Sequence, residues 1–576
     1  MSILNFFRKK KSLPMPWKKY YTEDELNVKI PNISMYEQIR RSSIKFPNYK
    51  AIEYLKKDIT YKELIKEIDK CSLAFSKLGI NKGDIVTICL PNIPEALISI
   101  YALNKLGAVA SMIHPLSAEE EIKKSLLYTK SKYLIFLDKF YSNIENVIKQ
   151  TDVSKVIFVN PSNSLNFIMR FCYNIKQIGK YKKHPKDDLF LDYSKFIKLS
   201  KKAKNVKFTK YGRNTPAIIL NSGGTSGTPK HVVLQNRAFI LGTMQEKIAL
   251  KKLNVGDSCM GIMPNFHGFG LSVTMHTPLC LGCYTILVPE FNAKKFDTLF
   301  KRTRPTILLG VPTLYEALIN SHNEKDLDLS FIKYAISGGD ILTKNLEDRV
   351  NNYFKEHNCN AVITQGYGLS EALAAVTLAS DVNKSGSIGI PLAGNYVKII
   401  DPATRESLPY GEIGEICVHT KAMMMGYLNN ESETNDALQV HDDGHVWLHT
   451  GDLGYMDSDG FVFYKGRKKR MIITSGYNVY PSHIEEVIES HPAVLQCTVI
   501  GIPHSYKQEV CKAFIVLKPG FHGLFIKSEI KNFCKKNLAK YMVPYEFVYR
   551  KNLPKTKLGK VDFNKLKSDI GVDDDE

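Results

Sequence analysis

Short apolar runs alternating with helical stretches constrain this chain more than any other feature. Residues 59–78 (ITYKELIKEIDKCSLAFSKL) repeat apolar side chains at helical spacing. Thr60, with Glu63 three residues on, predicts a capping box, and Gly79 a stop. DIVTICL (84–90) then reads as a buried strand and PEALISIYALNKLGA (94–108) as a helix. SKYLIFLD (131–138) and KVIFVN (155–160) are further strands. Strands separated by helices pair in parallel, with helices covering both faces of the sheet.

The alternation breaks at 161–210, a Lys-rich stretch of weak periodicity read as an insertion or surface excursion. It resumes at 216 and runs to about residue 380. From 386 to 465 the pattern changes to short strands with glycine turns, a β-rich subdomain. After Gly466 comes RKKR, then a compact α+β segment. There Ser482 is expected to cap a helix, with Glu485 closing the box and Ile484, Val487 and Ile488 buried. LQCTVIGI and VCKAFIVL are its strands, and SEIKNFCKKNLAK is a second helix. The expected organisation is a basic extension over 1–33, a large domain over 34–465 and a small domain over 466–576. The fold class is α/β: two parallel-sheet subdomains and a β-rich subdomain, followed by a small mobile α+β domain.

Composition narrows the partners. The 576 residues carry a formal charge of +21, which favours anionic ligands such as nucleotides, coenzyme A or acidic lipid. The excess is Lys spread over the whole chain. Zinc-finger spacing and basic-region heptads are missing, so nucleic acid is not an expected partner. Eleven scattered Cys in so long a chain fit reduced thiols and a cytoplasmic setting. Cys280 and Cys283 with His276 have the spacing of a partial zinc site, but no second pair follows and packing beside a strand is the reading adopted. No run of 18 uncharged apolar residues is found. MSILNFFRKKK is not a secretory signal, because its basic run follows the apolar residues. Residues 1–11 are either a frayed basic terminus or a foot on an anionic membrane face.

Several segments carry chemistry. In AIILNSGGTSGTPKHVVL (217–234) a strand enters a Gly/Ser/Thr loop and leaves as another strand. Glycines permit close backbone approach, and successive N–H groups with Ser222, Thr225 and Ser226 can surround a phosphate beside Lys230. The loop is not a Walker A motif, since Pro229 precedes the Lys and no helix opens there. QGYGLSE (365–371) lies just past an apolar run, where parallel sheets hold ligands, and Glu371 suits Mg²⁺. In HTGDLGYMDSDGF (449–461) Asp452 can accept from ribose hydroxyls. HDDGH (441–445) reads as a tight turn. GRKKRMIITSGYNVYPSHIE (466–485) suits a hinge near anions. In PKTKLGK (554–560), Lys560 sits on a glycine turn before a helix that Asp562 can cap.

Taken in order, these segments resemble the adenylate-forming superfamily, most closely its fatty acyl-CoA ligases, from about residue 34 to 565. PNFHGFG (264–270) is similar to that family's acyl-pocket motif and SGGD (337–340) to its adenine strand end. The resemblance implies ATP, Mg²⁺ and coenzyme A as ligands and an acyl-adenylate intermediate. It implies that Ser222, Gly223, Gly224, Ser226, Gly227 and Lys230 grip phosphates, and that Thr225 and Glu371 position Mg²⁺. Gly339, Asp340 and Tyr367 would border the adenine; Asp452 and Arg467 would hold the ribose. Lys560 would bridge the carboxylate and the α-phosphate, with His267 between the nucleotide and acyl sites. Lys469 would be the hinge, and Ser475, Gly476 and Tyr477 would face a pantetheine tunnel. One departure is His231, where the family usually has Gly.

PNFHGFG holds no acid that would bind an α-amine, which disfavours amino acids and favours a medium- or long-chain fatty acid. A carrier protein in place of free coenzyme A, an aryl acid, or a non-catalytic nucleotide-binding role are the alternatives. Retention of Lys560, Glu371 and Asp452 argues against the last.

Overall fold

A computed structural model describes residues 12–177, 182, 184–203, 210–222, 230–321, 327–474, 477–504, 507–556 and 560–569. The helix Tyr61–Lys77 starts at its capping box: Thr60 Oγ1 accepts from the Glu63 N–H, and the Glu63 carboxylate accepts from the Thr60 N–H. Its Leu64, Ile68, Cys71 and Phe75 form the buried stripe. The helix Pro94–Leu106 is buried almost all round and ends at Gly107 in the left-handed conformation. A Cβ there would meet the Tyr211 ring at 2.6 Å, so glycine answers both demands.

Among the described residues, two large sheets take in the chain to about residue 391, and Gly426–Tyr427 returns to the edge of the first. The first runs in the order Gly426–Tyr427, Lys230–Gln235, Pro216–Ser222, Val109–Met112, Ile85–Cys89, Tyr133–Leu137, Lys155–Val159, Phe190–Asp192. All neighbours from Pro216–Ser222 onward are parallel. The second has a parallel centre built from Lys50–Tyr54, Tyr284–Leu287, Ser258–Gly261, Ile307–Gly310, Tyr334–Gly338 and Ile363–Tyr367, with antiparallel edges. Helices such as Asn236–Ala249 and Met35–Lys45 fill the space around them, and one continuous core runs through Tyr54, Ile88, Tyr101, Leu220 and Phe239. The β-rich layer is antiparallel, from Tyr396–Ile400 through Gly414–His419 and Val446–Met456 to Val462–Arg467.

The small C-terminal unit is a long hairpin, Val494–His504 with Gln508–Leu517, covered by the helices Pro481–Glu489 and Leu524–Asn537. Ile484, Ile488, Val499, Ile515 and Ile530 form its core. The expected capping box at Ser482 is not there. Pro481 takes the first helical position, Tyr480 precedes it without a side-chain cap, and the Ser482 hydroxyl donates to the Lys465 carbonyl at 2.6 Å. Glu485 pairs instead with Arg470 at 2.9 Å.

Two stretches are more integrated than the sequence suggested. The Lys-rich excursion contains a strand, Phe190–Asp192, that joins the first sheet, and Phe196 in the helix after it is fully buried. The N-terminal extension turns at Pro16–Tyr20 and seats Trp17, fully buried, against the β-rich layer. Its neighbours tie down too: Lys19 pairs with Asp459, and the Tyr21 hydroxyl donates to the Pro391 carbonyl at 2.9 Å.

Of the minor motifs, HDDGH is the expected turn. The Gly444 N–H donates to the His441 carbonyl, and Asp443 accepts from Lys398 and from the Trp447 indole. Among the described residues no cluster of His, Cys, Asp and Glu could hold a metal. Cys283 donates to the Asn254 carbonyl, and Cys280 lies beside His276 in the core. Among those same residues no helix is long and apolar enough to cross a membrane.

Candidate active site

The phosphate-type loop is the tip of a hairpin. Pro216–Ser222 leaves the first sheet, and Lys230–Gln235 returns antiparallel with Ser222 opposite Lys230. Gly223, Gly224, Thr225, Ser226 and Gly227 lie outside the described residues, as does the Ser222 side chain. Lys230 is described: its ammonium pairs with Glu433 at 2.6 Å and lies 4.7 Å from the centre of the Tyr427 ring. His231 turns the other way. Its ring is buried, stacks on Tyr128 at 4.5 Å and meets Ser125 Oγ at 3.3 Å. A glycine there would lose this contact between the hairpin and the helix Glu119–Thr129.

The second sheet supplies the opposite wall. Tyr334–Gly338 ends at Gly339, in the left-handed region, and Asp340 follows, exposed. A Cβ on Gly338 would approach the Gly366 carbonyl at 3.2 Å, so these two adjacent strand ends pack tightly. Ile363–Tyr367 ends beside them. The Tyr367 hydroxyl donates to Asp452 Oδ2 at 2.6 Å, and Arg467 Nε pairs with Asp452 Oδ1 at 2.9 Å. Asp452 and Arg467 face each other across neighbouring strands. Burial pushes the Asp452 carboxyl up, while the Arg467 guanidinium and the Tyr367 hydroxyl oppose that rise. Arg467 is itself held firmly protonated by Asp452.

Glu371 sits in the turn Ser370–Ala372 just past Tyr367. The Tyr427 hydroxyl donates to its Oε1 at 2.9 Å. Its other oxygen is a hard donor of the kind Mg²⁺ takes.

His267 lies in PNFHGFG, ahead of a wide π-helical segment at Phe269–His276. The glycines of this motif permit its packing: a Cβ on Gly268 would fall 1.8 Å from the Leu373 carbonyl oxygen, and one on Gly270 2.0 Å from that of Pro264. The His267 pKa is pushed down to about 4, by burial first and by the Lys560 charge second. The Phe269 N–H donates to Nδ1 at 3.2 Å, which assigns the hydrogen of the neutral ring to Nε2.

Lys560 reaches this site from the small C-terminal unit. Its turn is closed by the Thr556 N–H donating to the Lys560 carbonyl at 2.7 Å, and Asp562 caps the helix Phe563–Ser568 as expected. Burial lowers the Lys560 ammonium below the usual lysine range. Asp340 and Asp452 pull it back up, and Arg467 adds to the lowering. Lys560 is therefore within electrostatic reach of His267, Asp340, Asp452 and Arg467 at once. Lys469 is exposed in the turn Lys468–Arg470 that joins the β-rich layer to the small unit. Ser475 and Gly476 fall outside the described residues, and only the backbone of Tyr477 is described, in the strand Tyr477–Val479.

Sequence reasoning overlooked Tyr427 and Glu433, which hold Glu371 and Lys230. Both lie in GYLNNESE, a polar stretch with no periodic or glycine-loop signal, and only the strand Gly426–Tyr427 pairing with Lys230–Gln235 brings them in.

A phosphate-type hairpin, a carboxylate–arginine pair across from it and a lysine delivered by a second unit define an enzyme that activates acids as adenylates. Sequence comparison agrees: residues 39–428 match the model of the AMP-binding enzyme family, and residues 483–560 match that of the AMP-binding enzyme C-terminal domain. The chain belongs to the AMP-binding enzyme family. It is an AMP-forming acid–CoA ligase whose co-substrates are ATP and coenzyme A. A long-chain-fatty-acid–CoA ligase of Bacillus subtilis (strain 168) is 32% identical over 95% of this chain and 96% of its own length. A probable 4-coumarate–CoA ligase 1 of Dictyostelium discoideum is 30% identical over 91% and 92%. Among solved structures, the anthranilate CoA ligase AuaEII in complex with anthranoyl-AMP superposes with a TM-score of 0.81 at 23% identity, over 94% of this chain and 98% of that one. ATP-bound MatB from Rhodopseudomonas palustris gives 0.79 at 23% identity, over 94% and 100%.

Proposed function

We propose that the acid is a medium- or long-chain fatty acid, that free coenzyme A is the acceptor, and that the two half-reactions use alternate faces of the C-terminal unit. The observation that carries the acid is the 32% identity, over nearly the full length of both chains, to a ligase named for long-chain fatty acids. The acid-free PNFHGFG motif supports it, because it offers nothing to bind a polar α-substituent.

In adenylation the carboxylate attacks the α-phosphate and pyrophosphate leaves. Lys560 bridges the two anions, whose mutual repulsion must be offset at the moment of attack. The neutral His267 offers its Nε2–H between the nucleotide and the acyl group without adding charge. Asp452 holds the ribose: its oxygens, already bonded to Tyr367 and Arg467, have lone pairs left for both hydroxyls. Gly339, Asp340 and Tyr367 border the base. Thr225 and Glu371 would hold Mg²⁺, which when bound neutralises charge on the phosphates. Lys230 leaves Glu433 for the β- and γ-phosphates together with the loop at 222–227. Rotation about Lys469 then withdraws Lys560 and presents Ser475, Gly476 and Tyr477 to the pantetheine arm.

The test is a panel of acids and acceptors given to the full chain with ATP and Mg²⁺. Pyrophosphate exchange and thiol consumption with palmitate, and not with 4-coumarate or benzoate, are expected. Preference for 4-coumarate would replace the fatty acid with an aryl acid. Thiol transfer to a carrier protein alone would replace coenzyme A.

A further inference from the structure

We propose that the helix Phe167–Gln177 is a membrane-docking element, which lays Ile168, Phe171 and Ile175 into the interfacial zone of a bilayer carrying anionic lipid. This helix is apolar on two sides. Met169 and Tyr173, four residues apart, pack inward against the main core. Ile168, Phe171 and Ile175, at helical spacings of three and four, point the other way. They are 73%, 60% and 51% exposed, an unusual amount of large apolar surface to concentrate on one stripe. Exposed Cys172 lies on the same stripe and Arg170 on its flank.

Charge selects the occupant. Residues 161–186 contain six basic side chains, Arg170, Lys176, Lys180, Lys182, Lys183 and Lys186, and no carboxylate of their own, and of these Lys182 pairs with Glu145 at 2.5 Å. Such an excess of basic over acidic residues favours an anionic partner over a neutral apolar groove. An apolar stripe within a purely basic segment is the pattern of a helix lying on an anionic membrane face.

The helix is also firmly mounted. Asn166 caps it, accepting from the Met169 N–H at 2.9 Å. Just before it, Ser164 donates to buried Glu95 at 2.7 Å, and the Pro161 carbonyl accepts from the Tyr54 hydroxyl. Glu95 opens the helix Pro94–Leu106, and three residues earlier Asn92 donates to the Met263 carbonyl at 2.9 Å and accepts from the Asn265 N–H at 3.0 Å. Met263 and Asn265 flank the start of PNFHGFG. A short, hydrogen-bonded path therefore links the helix to the His267 segment. The docking stands whichever acid the enzyme takes.

Flotation of the full chain with phosphatidylcholine vesicles, with and without phosphatidylserine, tests it. Binding is expected to the anionic vesicles, weakened at high salt. The triple variant I168Q/F171Q/I175Q should bind on the order of tenfold more weakly, while I168L/F171L/I175L should stay within about threefold of the parent. Pyrophosphate exchange with a short soluble acid should be unchanged in both, which checks the fold. If the glutamine triple variant is poorly folded, F171Q alone replaces it. No binding by the parent, undiminished binding by the glutamine variants, or loss of binding only on deleting residues 1–11 would overturn the proposal. So would glutamine variants that dissociate an oligomer in sedimentation velocity, because the stripe would then cover a second copy.

Discussion

Two lysines face the same site from different parts of the chain, and their surroundings differ. Lys230 belongs to the large body; it is half-exposed and already paired with Glu433 at 2.6 Å. Lys560 arrives from the small unit into a buried setting of mixed charge, with Asp340 and Asp452 for it and Arg467 and burial against it. A cation with a standing partner can wait for a ligand at little cost. A cation in a partly opposed field is most stable when another anion joins it. The contrast predicts that Lys230 serves binding and Lys560 serves the chemical step.

The sharpest way to break that contrast is Lys560→Ala. Adenylation should fall by roughly 10²–10³-fold in kcat, the range for removing one preorganised charge from a transition state, while thioester formation from supplied acyl-adenylate persists. Equal loss in both half-reactions, measured by pyrophosphate exchange and by thiol consumption, would put Lys560 outside the chemistry. Lys469→Pro should come next, sparing exchange and lowering thioester formation on the order of 10²-fold, since a fixed φ prevents the turn from pivoting. Lys230→Ala should raise the KM for ATP about tenfold with a smaller change in kcat, the mark of binding energy shared by ground and transition states. Glu433→Gln should have the smallest effect, within about threefold on the KM for ATP, because the pair it breaks is partly exposed.

The same contrast sets a pH profile. Because burial lowers Lys560, its ammonium loses its proton at a lower pH than an ordinary lysine, and adenylation should decline on the alkaline side earlier than a free lysine predicts. Lys560→Arg should move that alkaline limb upward, at reduced overall rate, since guanidinium stays protonated. Stability behaves oppositely. His276, fully buried, donates from Nε2 to Gln38 Oε1 and accepts at Nδ1 from the Tyr101 hydroxyl, and burial pushes its pKa down to about 3. The unfolded chain takes up that proton near pH 6.5 and the folded one does not, so its contribution is whole above 6.5 and is lost as pH falls toward 3. Thermal unfolding between pH 7.5 and 5 checks this.

Most of the sheet architecture was legible because the strands are buried on both faces and separated by periodic helices. Thr60 and Asp562 cap as their spacing suggested. Ser482 did not, because Pro481 beside it pre-empted the start of the helix. Phe190–Asp192 went unseen because three residues carry no period. In the site, Tyr367 at the end of its strand bonds Asp452, which lies within Val446–Met456, and the Gly338–Gly366 approach sets Gly339 at the neighbouring strand end. Tyr427 with Glu371 and Glu433 with Lys230 did not announce themselves. Each pair joins residues 56 or more positions apart, through side chains that look like loop polarity in isolation.

The Trp17 anchor bears on how this enzyme is handled at the bench. The family match begins at residue 39, and a truncation guided by it would discard residues 16–20. Gly460 receives the strap: any side chain there would press to 2.7 Å from the Trp17 backbone nitrogen. Without the strap, an indole-sized berth beside Tyr396 and Phe461 opens to water. Losing a buried tryptophan costs about 3–5 kcal/mol, a large share of a protein's margin. Shortened clones should therefore express poorly for a reason unrelated to catalysis, and a tag placed at the N-terminus needs a spacer ahead of Trp17.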